Sequence, residues 1–468
     1  MNLNKKSPLE VSGAHNPLKN NSTLDTGVLT PDGPMDPNNR IIALDALRGI
    51  ALLGILLVNI YEFASPTLLF DVPVGMAKPA FTGWHASLDK FILWITWLFA
   101  EGKMRSLFSI LFGAGVIMLT DRYETTGRAG RAASIFYRRN LWLLAIGLCH
   151  GFFLFPGDIL VDYALLAMIV LFFLRRLTAR YLFIIGIALW VLLGTIGIMN
   201  AFGVRDTLKA ATALQVAQQA GIHATKEQSA LINDAAKEEQ AAVSGLQQQI
   251  RAGRLSYWEG RHDRYNNEIG FLMLKGNGLF ISYLGAMIFG MGLYKSGFLN
   301  NQMPVSTYVT VMLIGYATAF IITGFGLWQL QQSQFSAVIF SKWLWIPYCT
   351  QLAAGTLANL SLMLLLIRVN FLKKFFQPFA DVGRMALSNY ILTSLICGWI
   401  FSWGPLKLYG KLEFFEWYYI VAIVWCFNLI FSSIWLIYFR MGPVEWLWRS
   451  LTYWKLQPIS IKRAQSSR

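Results

Sequence analysis

RIIALDALRGIALLGILLVNIY, residues 40–61, decides how the rest of the chain is read. From Ile41 to Tyr61 it is long enough to cross the apolar part of a bilayer, at roughly 1.5 Å per helical residue. Yet it carries Asp45, Arg48 and Asn59. A charged group at the centre of a membrane helix costs at least about 2.5–3.5 kcal/mol. Asp45 and Arg48 are three residues apart, so they share a helix face and can pair. Asn59 lies close to three full turns beyond Arg48 and continues that face. One polar stripe on an apolar helix predicts a polar interior or wet chamber for it to face. The plainer alternative is an Asp–Arg tie that locks helices near the cytoplasmic surface.

The totals agree with a membrane chain. Of 468 residues, 55% are hydrophobic and only 14% charged, with 17 Trp and 33 Phe, which is the composition of a polytopic membrane protein. The formal charge of +15 fits Lys and Arg retained in cytoplasmic loops. No basic stretch interleaved with aromatics lies outside the apolar runs, which argues against nucleic acid as a partner. Cys149, Cys349, Cys397 and Cys426 all sit in apolar runs without CxxC or Cys/His clusters, so neither a disulfide framework nor a structural zinc site is expected. Residues 1–40 are polar, contain Pro31, Pro34 and Pro37, and lack the apolar core of a cleaved signal peptide. They read as a disordered cytoplasmic tail ahead of an uncleaved anchor.

The expected fold is therefore an all-α, polytopic transmembrane helix bundle. An amino-terminal membrane domain covers 41–202 and a carboxy-terminal one 271–455. Between them, residues 203–270 are rich in Ala, Gln, Glu and Lys, which favours a helical insertion outside the membrane. Residues 456–468 form a basic tail. Leu88–Thr120 is too long for one straight span and is interrupted by Glu101-Gly102-Lys103. If it crosses once there are 10 spans and the amino terminus is inside; if twice, 11 and outside. Arg40 and Arg48 favour the first.

Several polar residues carry chemical potential. His150 is the only histidine within an expected span, about seven residues before the turn Pro156-Gly157-Asp158. Imidazole titrates near neutrality and can take a proton from a hydroxyl or amine and return it. A carboxylate beside it, Asp158, would orient the ring and stabilise its charged form. Asp158 also fits a helix N-cap. Tyr163 follows on the partner helix. Glu101, Lys103 and Arg105 form a second charged cluster. A helix break there leaves backbone groups unpaired, which is tolerable if they line a cavity, and the two cations suit the phosphates of a cytosolic donor. An ordinary surface loop is the alternative. Gly102, Gly113 and Gly115 have the spacing of close-packing residues between helices. Asp381–Tyr390 brings Arg384 and Asn389 into the membrane region. Val444–Tyr453, with Trp446, Trp448, Glu445 and Arg449, suits a short helix lying in the interface.

Five stretches together carry a family resemblance. Leu44-Asp45-Ala46-Leu47-Arg48-Gly49-Ile50-Ala51 resembles the amino-terminal LDxLRGxA motif of YeiB-type bacterial membrane proteins. Glu101–Lys103 with Ser106–Phe108 and Leu111–Gly115 resembles their second motif. His150 with Gly157–Leu160 and Tyr163-Ala164 resembles the third. Gly383–Tyr390 (GRMALSNY) and Gly442–Tyr453 (GPVEWLWRSLTY) resemble their carboxy-terminal domain of unknown function. The resemblance spans residues 40–455 apart from the insertion.

The LDxLRG start is also similar to acyltransferase-three proteins and, more distantly, to heparan-alpha-glucosaminide N-acetyltransferases. Those use cytosolic acyl-CoA, modify an acceptor on the far side of the membrane, and depend on a membrane histidine. The resemblance implies a multi-pass protein of the bacterial cytoplasmic (inner) membrane and an acyltransferase acting on an envelope glycan or lipid. His150 and Asp158 would be catalytic, and Asp45, Arg48, Asn59, Glu101, Lys103, Arg105, Tyr163, Arg384 and Asn389 would bind substrate. Acyl-CoA would be a co-substrate, with no bound cofactor and no metal. A permease-like transporter, with the same stripe lining a pathway, and a non-catalytic scaffold are the alternatives.

Overall fold

The structure, a computed structural model, describes residues 42–65, 83–127, 129–219, 248, 250–259, 279–333, 337–369 and 373–461. The expected tail 1–40, most of the expected insertion 203–270, and 462–468 lie outside the described residues. The chain is an all-α helical bundle. Among the described residues the only strand-like pairing is an isolated bridge between Phe439 and Ser460. Among the described residues seven helices are long and apolar enough to cross a membrane, and two shorter apolar helices accompany them.

In chain order the helices that matter here are α1 (Ile42–Ala64), α2 (Ala86–Ile95) and α3 (Lys103–Thr125). They are followed by α4 (Ala129–Phe153), α5 (Leu160–Leu166), α6 (Ala179–Gln219) and α7 (Leu279–Lys295). The carboxy-terminal half supplies α8 (Val305–Gln332), α9 (Tyr348–Arg368), α10 (Lys373–Arg384) and α11 (Ala386–Gly398). Last come α12 (Trp417–Tyr438) and α13 (Pro443–Tyr453). The Arg-rich stretch 122–139 is mostly helix, because α3 continues to Thr125 and α4 begins at Ala129. The insertion begins as a continuation of α6 rather than a new element. Its far end is tied down: Arg254 donates to the carbonyls of Tyr409 and Gly410, and the Tyr257 hydroxyl to that of Phe153. Residues 456–461 are not a free tail. Arg440 N–H bonds to Ile459 O, and the Trp446 indole to Gln457 O.

Contacts at the helix ends give each helix a direction. The end of α1 meets the start of α12: Gly410 N–H bonds to Ala64 O, and Tyr61 packs on Phe414 and Trp417. The start of α2 is at the same level, with Asp89 accepting Phe415 N–H. At the other end of the bundle, Tyr123 near the end of α3 packs with Tyr453 of α13. Glu124 pairs there with Arg175 and Arg176. Ala86–Thr125 therefore passes through the bundle once, broken in its middle. The end holding Arg122, Arg139, Arg175, Lys295 and Arg440 is the basic end.

Two backbone crossings bring the halves of the chain together. A Cβ on Gly383 of α10 would lie 1.8 Å from Asp45 O of α1, and one on Gly49 would lie 1.9 Å from Phe379 O. Likewise a Cβ on Gly113 of α3 would fall 2.0 Å from Met287 O of α7, and one on Gly290 would fall 2.2 Å from Ile110 O. Small residues permit this approach where water supplies no driving force between helices. The other two glycines expected to pack behave differently. Gly102 is a turn residue with φ of 67°, and Gly115 has nothing within 4 Å of its Cβ position.

Gly383→Val should therefore lower the melting temperature of the detergent-solubilised protein, at a cost of about 1–3 kcal/mol, as overpacking does. Gly115→Ala should leave melting unchanged or raise it. Equal melting of wild type and Gly383→Val would contradict the close crossing.

Candidate active site

The α1–α10 crossing sets one wall of a cavity of about 190 Å³ near the basic end. Asp45 and Arg48 contribute from α1, Arg139 and Asn140 from α4, Arg384 from α10, and Glu445 and Arg449 from α13. Four guanidinium groups thus meet two carboxylates around one space, which leaves the lining net positive. Three of the arginines have defined holds. Arg48 Nη1 lies 3.0 Å from Asp45 Oδ1. The Arg139 guanidinium sits 4.0 Å over the Trp448 ring, whose indole N–H bonds back to Arg139 O. Arg384 lies 3.6 Å from Asp381 and donates to Arg440 O, yet its buried Nε has no partner among the described residues.

Glu445 is committed to structure. Its carboxylate accepts the N–H groups of Leu387 and Ser388, at 2.6 and 3.0 Å, and the Ser388 hydroxyl. These are first-turn donors of α11, which otherwise have no partner within the helix. A negative charge there also opposes the positive end of the helix dipole. So α13 is not simply afloat in the interface. Gly442-Pro443 starts it, and Glu445 pins it to α11.

Moving away from the basic end, the cavity is lined by Phe112, Ile159, Leu160, Tyr163 and Tyr390. Tyr390 separates it from a second polar centre, its ring lying 4.7 Å from that of His150. His150 Nδ1 is 2.8 Å from Asp158 Oδ1, and Nε2 is 2.9 Å from Ser394 Oγ. All three residues are 2–3% exposed. Asp158 Oδ2 also accepts Val161 N–H at 3.0 Å, so the same carboxylate serves the start of α5 and the imidazole. An ionised carboxylate can only accept, which makes Nδ1 the protonated nitrogen and leaves Nε2 to accept from Ser394. In that tautomer Nε2 is a base facing a hydroxyl.

This arrangement can be set beside known proteins. Residues 293–455 match the family described as "Protein of unknown function (DUF418)". The uncharacterized protein YxaH of Bacillus subtilis is 29% identical over 432 residues, covering 92% of this chain and 98% of that one. The uncharacterized protein YeiB of Escherichia coli is 29% identical over 430 residues, covering 88% and 96%. No solved structure matches. Over most of its length the chain is similar to these YeiB-type proteins.

The residues expected from sequence divide into three groups. Asp45, Arg48, Tyr163 and Arg384 share the cavity. His150 and Asp158 form the centre behind it. The others are elsewhere, for physical reasons. Asn59 is about 16 Å further along α1 than Arg48, at 1.5 Å per residue, and does not reach the lining. Glu101, Lys103 and Arg105 lie some 30 Å from the basic end of α3 by the same rise and do not line the cavity, although Arg105 O accepts from the Tyr163 hydroxyl at its deep edge. Nor do the broken helix's carbonyls need water. Lys103 Nζ donates to Trp97 O at 2.8 Å and Asn359 to Phe99 O at 2.9 Å. Arg105 is 3.4 Å from Glu101, which also accepts from Tyr348. Asn389 is buried, donating to Val382 O and Ser432. Of Arg48, Arg105 and His150, only Arg48 lines the cavity itself.

Sequence reading missed Arg139, Arg449, Glu445 and Ser394 as site residues. Arg139 was absorbed into charge counting at the basic end, and Glu445 and Arg449 were read only as parts of an interfacial helix. Ser394 sits in an apolar run with nothing to distinguish it. A signal for Glu445 and Arg449 did exist, in the spacing of an acid and a base within an aromatic-rich helix.

Removing one partner of a buried, hydrogen-bonded pair strands the other charge, a loss of about 3–5 kcal/mol. His150→Ala should therefore destabilise the solubilised protein by that order, while Asn59→Ala stays within about 0.5 kcal/mol. Comparable denaturation midpoints for the two variants would contradict the described His150 centre.

Proposed function

We propose that this chain is a membrane acyltransferase of the bacterial inner membrane. It would move an acyl group from cytosolic acyl-CoA to a hydroxyl or amine on an envelope glycan or lipid. The observation that supports this most is the continuity of two unlike sites. A cavity with four arginines ends on Tyr390, the ring packed against a His–Asp pair.

By the excess of Lys and Arg, the basic end is cytoplasmic. CoA carries a pyrophosphate and a further phosphate, and guanidinium groups bind phosphate oxygens in pairs of charge-assisted hydrogen bonds. Arg48, Arg139, Arg384 and Arg449 would hold that part of the donor. The thioester arm is less polar and would lie along the Phe112, Leu160 and Tyr390 side. His150 would accept the proton displaced as a nucleophile attacks the acyl carbon, and Asp158 would stabilise the imidazolium. The buried setting strengthens that electrostatic help relative to water.

Acetyl-CoA at a hundred times its dissociation constant should stabilise the solubilised protein by about 2.7 kcal/mol. Added salt and Arg384→Gln should both reduce the shift. His150→Gln should keep the shift and lose thioester cleavage in the presence of a membrane-lipid and glycan acceptor fraction. Full turnover by His150→Gln would refute the base. Flux through proteoliposomes with no acylated product would instead support transport.

A further inference from the structure

The second nitrogen of His150 faces a hydroxyl that the direct-transfer reading leaves idle. We propose that Ser394 is the nucleophile that carries the acyl group, in a covalent acyl-enzyme formed between donor cleavage and acceptor attack. This rests on the acyltransferase reading and specifies its chemistry.

Three observations carry it. First, Asp158 Oδ1, His150 Nδ1, His150 Nε2 and Ser394 Oγ form a continuous chain, with steps of 2.8 and 2.9 Å across the two hydrogen bonds. That is the order of carboxylate, imidazole and hydroxyl that activates a serine, recognised by geometry and not by sequence position. Second, a helical serine ordinarily bonds its own i−4 carbonyl. Here the Tyr390 O contact is the longer one, 3.3 Å, and the shorter one goes to the imidazole. Third, Ala386, Tyr390 and Ser394 recur every four residues on α11, so they share a face. The first two line the cavity. Ser394 is one turn, about 6 Å, further along that face. An acyl group advancing past Tyr390 meets its hydroxyl next.

The position also answers a topological problem. His150 occupies the last turn of α4, and its carbonyl accepts from Leu154 and Phe155 just before the turn at Pro156. Ser394 thus stands between the basic-end cavity and the opposite end of the bundle. An acyl group parked there lets the donor leave on one side before the acceptor arrives from the other.

In the first half-reaction, Ser394 Oγ attacks the thioester carbonyl as its proton passes to His150 Nε2. The C–S bond breaks, and the proton moves on to the departing thiolate, giving free CoA and an ester on Ser394. In the second, an acceptor hydroxyl or amine loses its proton to His150 Nε2 and attacks the ester. The acyl–Oγ bond breaks, and the proton returns to Oγ. No oxidant, metal or further reactant is needed.

The test uses the full chain in detergent with acetyl-CoA labelled in its acetyl group, without acceptor, followed by denaturation and neutral hydroxylamine. Serine esters resist that treatment and thioesters do not. Wild type should retain hydroxylamine-stable label mapping to the Ser394 peptide. Ser394→Ala should lose it, and Ser394→Cys should carry label that hydroxylamine removes. Should Ser394→Ala fail to fold, the change in lability of Ser394→Cys decides alone. Hydroxylamine-labile label on wild type would place the acyl group on a thiol such as Cys397, one turn away, and overturn the proposal. Wild-type turnover with acceptor but no label without it overturns the covalent step and leaves the acyltransferase reading standing. No CoA release under either condition removes both.

Discussion

Charge inside an apolar bundle has two stable fates: local neutralisation or a shared wet space. This chain uses both, and the division between them organises everything else. Lys103 is spent on a carbonyl, Arg105 leans on Glu101, and Asn389 is bonded to Val382 and Ser432. These are ties that let a broken helix and tightly packed ones persist where water is scarce. The guanidinium groups of Arg48, Arg139, Arg384 and Arg449 instead converge on one cavity with only Asp45 and Glu445 as lining counter-charges. Excess positive charge of that kind is a cost to the fold and a resource for binding anions.

Close backbone crossings make the convergence possible. Gly383 against Asp45 O, with Gly49 against Phe379 O, places α10 directly on the first helix. The arginines one residue beyond Gly383 and one before Gly49 then face the same space. α13 closes it, with Trp448 under the Arg139 guanidinium and Glu445 across the start of α11. The same α11 carries Tyr390 and Ser394, so anchoring its first turn also fixes the distance between cavity and imidazole. In the proposed reaction, binding and chemistry would be coupled through one short helix.

The helical class, the membrane setting and the pairs Asp45–Arg48 and His150–Asp158 were legible in sequence, because each rests on local spacing or on runs of apolar residues. The two oxygens of Asp158 do different jobs, one facing the imidazole and the other accepting Val161 N–H, although the N-cap residue itself is Ile159. What sequence reading could not supply was distance across the bundle. Ser394 meets His150 across 244 positions, and Trp448 meets Arg139 across 309. Helical phase placed Asn59 on the same face as Arg48 but said nothing of its height relative to the cavity. The Glu101–Arg105 cluster lies off the cavity lining for a related reason. Its depth follows from a single pass of Ala86–Thr125, which becomes evident only when Phe415 is seen at one end and Tyr453 at the other.

The proposed donor site is a wet, anion-accepting cavity that would open at the basic end, taken as cytoplasmic, and stop at Tyr390. Gly115 lines it and has free space around its Cβ position, so a cysteine there reports on the cavity without reshaping it. Membrane vesicles of either orientation carrying Gly115→Cys can be treated with a membrane-impermeant thiol reagent and compared with the parent protein. The account predicts labelling above the parent from the cytoplasmic face alone, suppressed by CoA. Labelling from the opposite face, or labelling that CoA does not diminish, would contradict it.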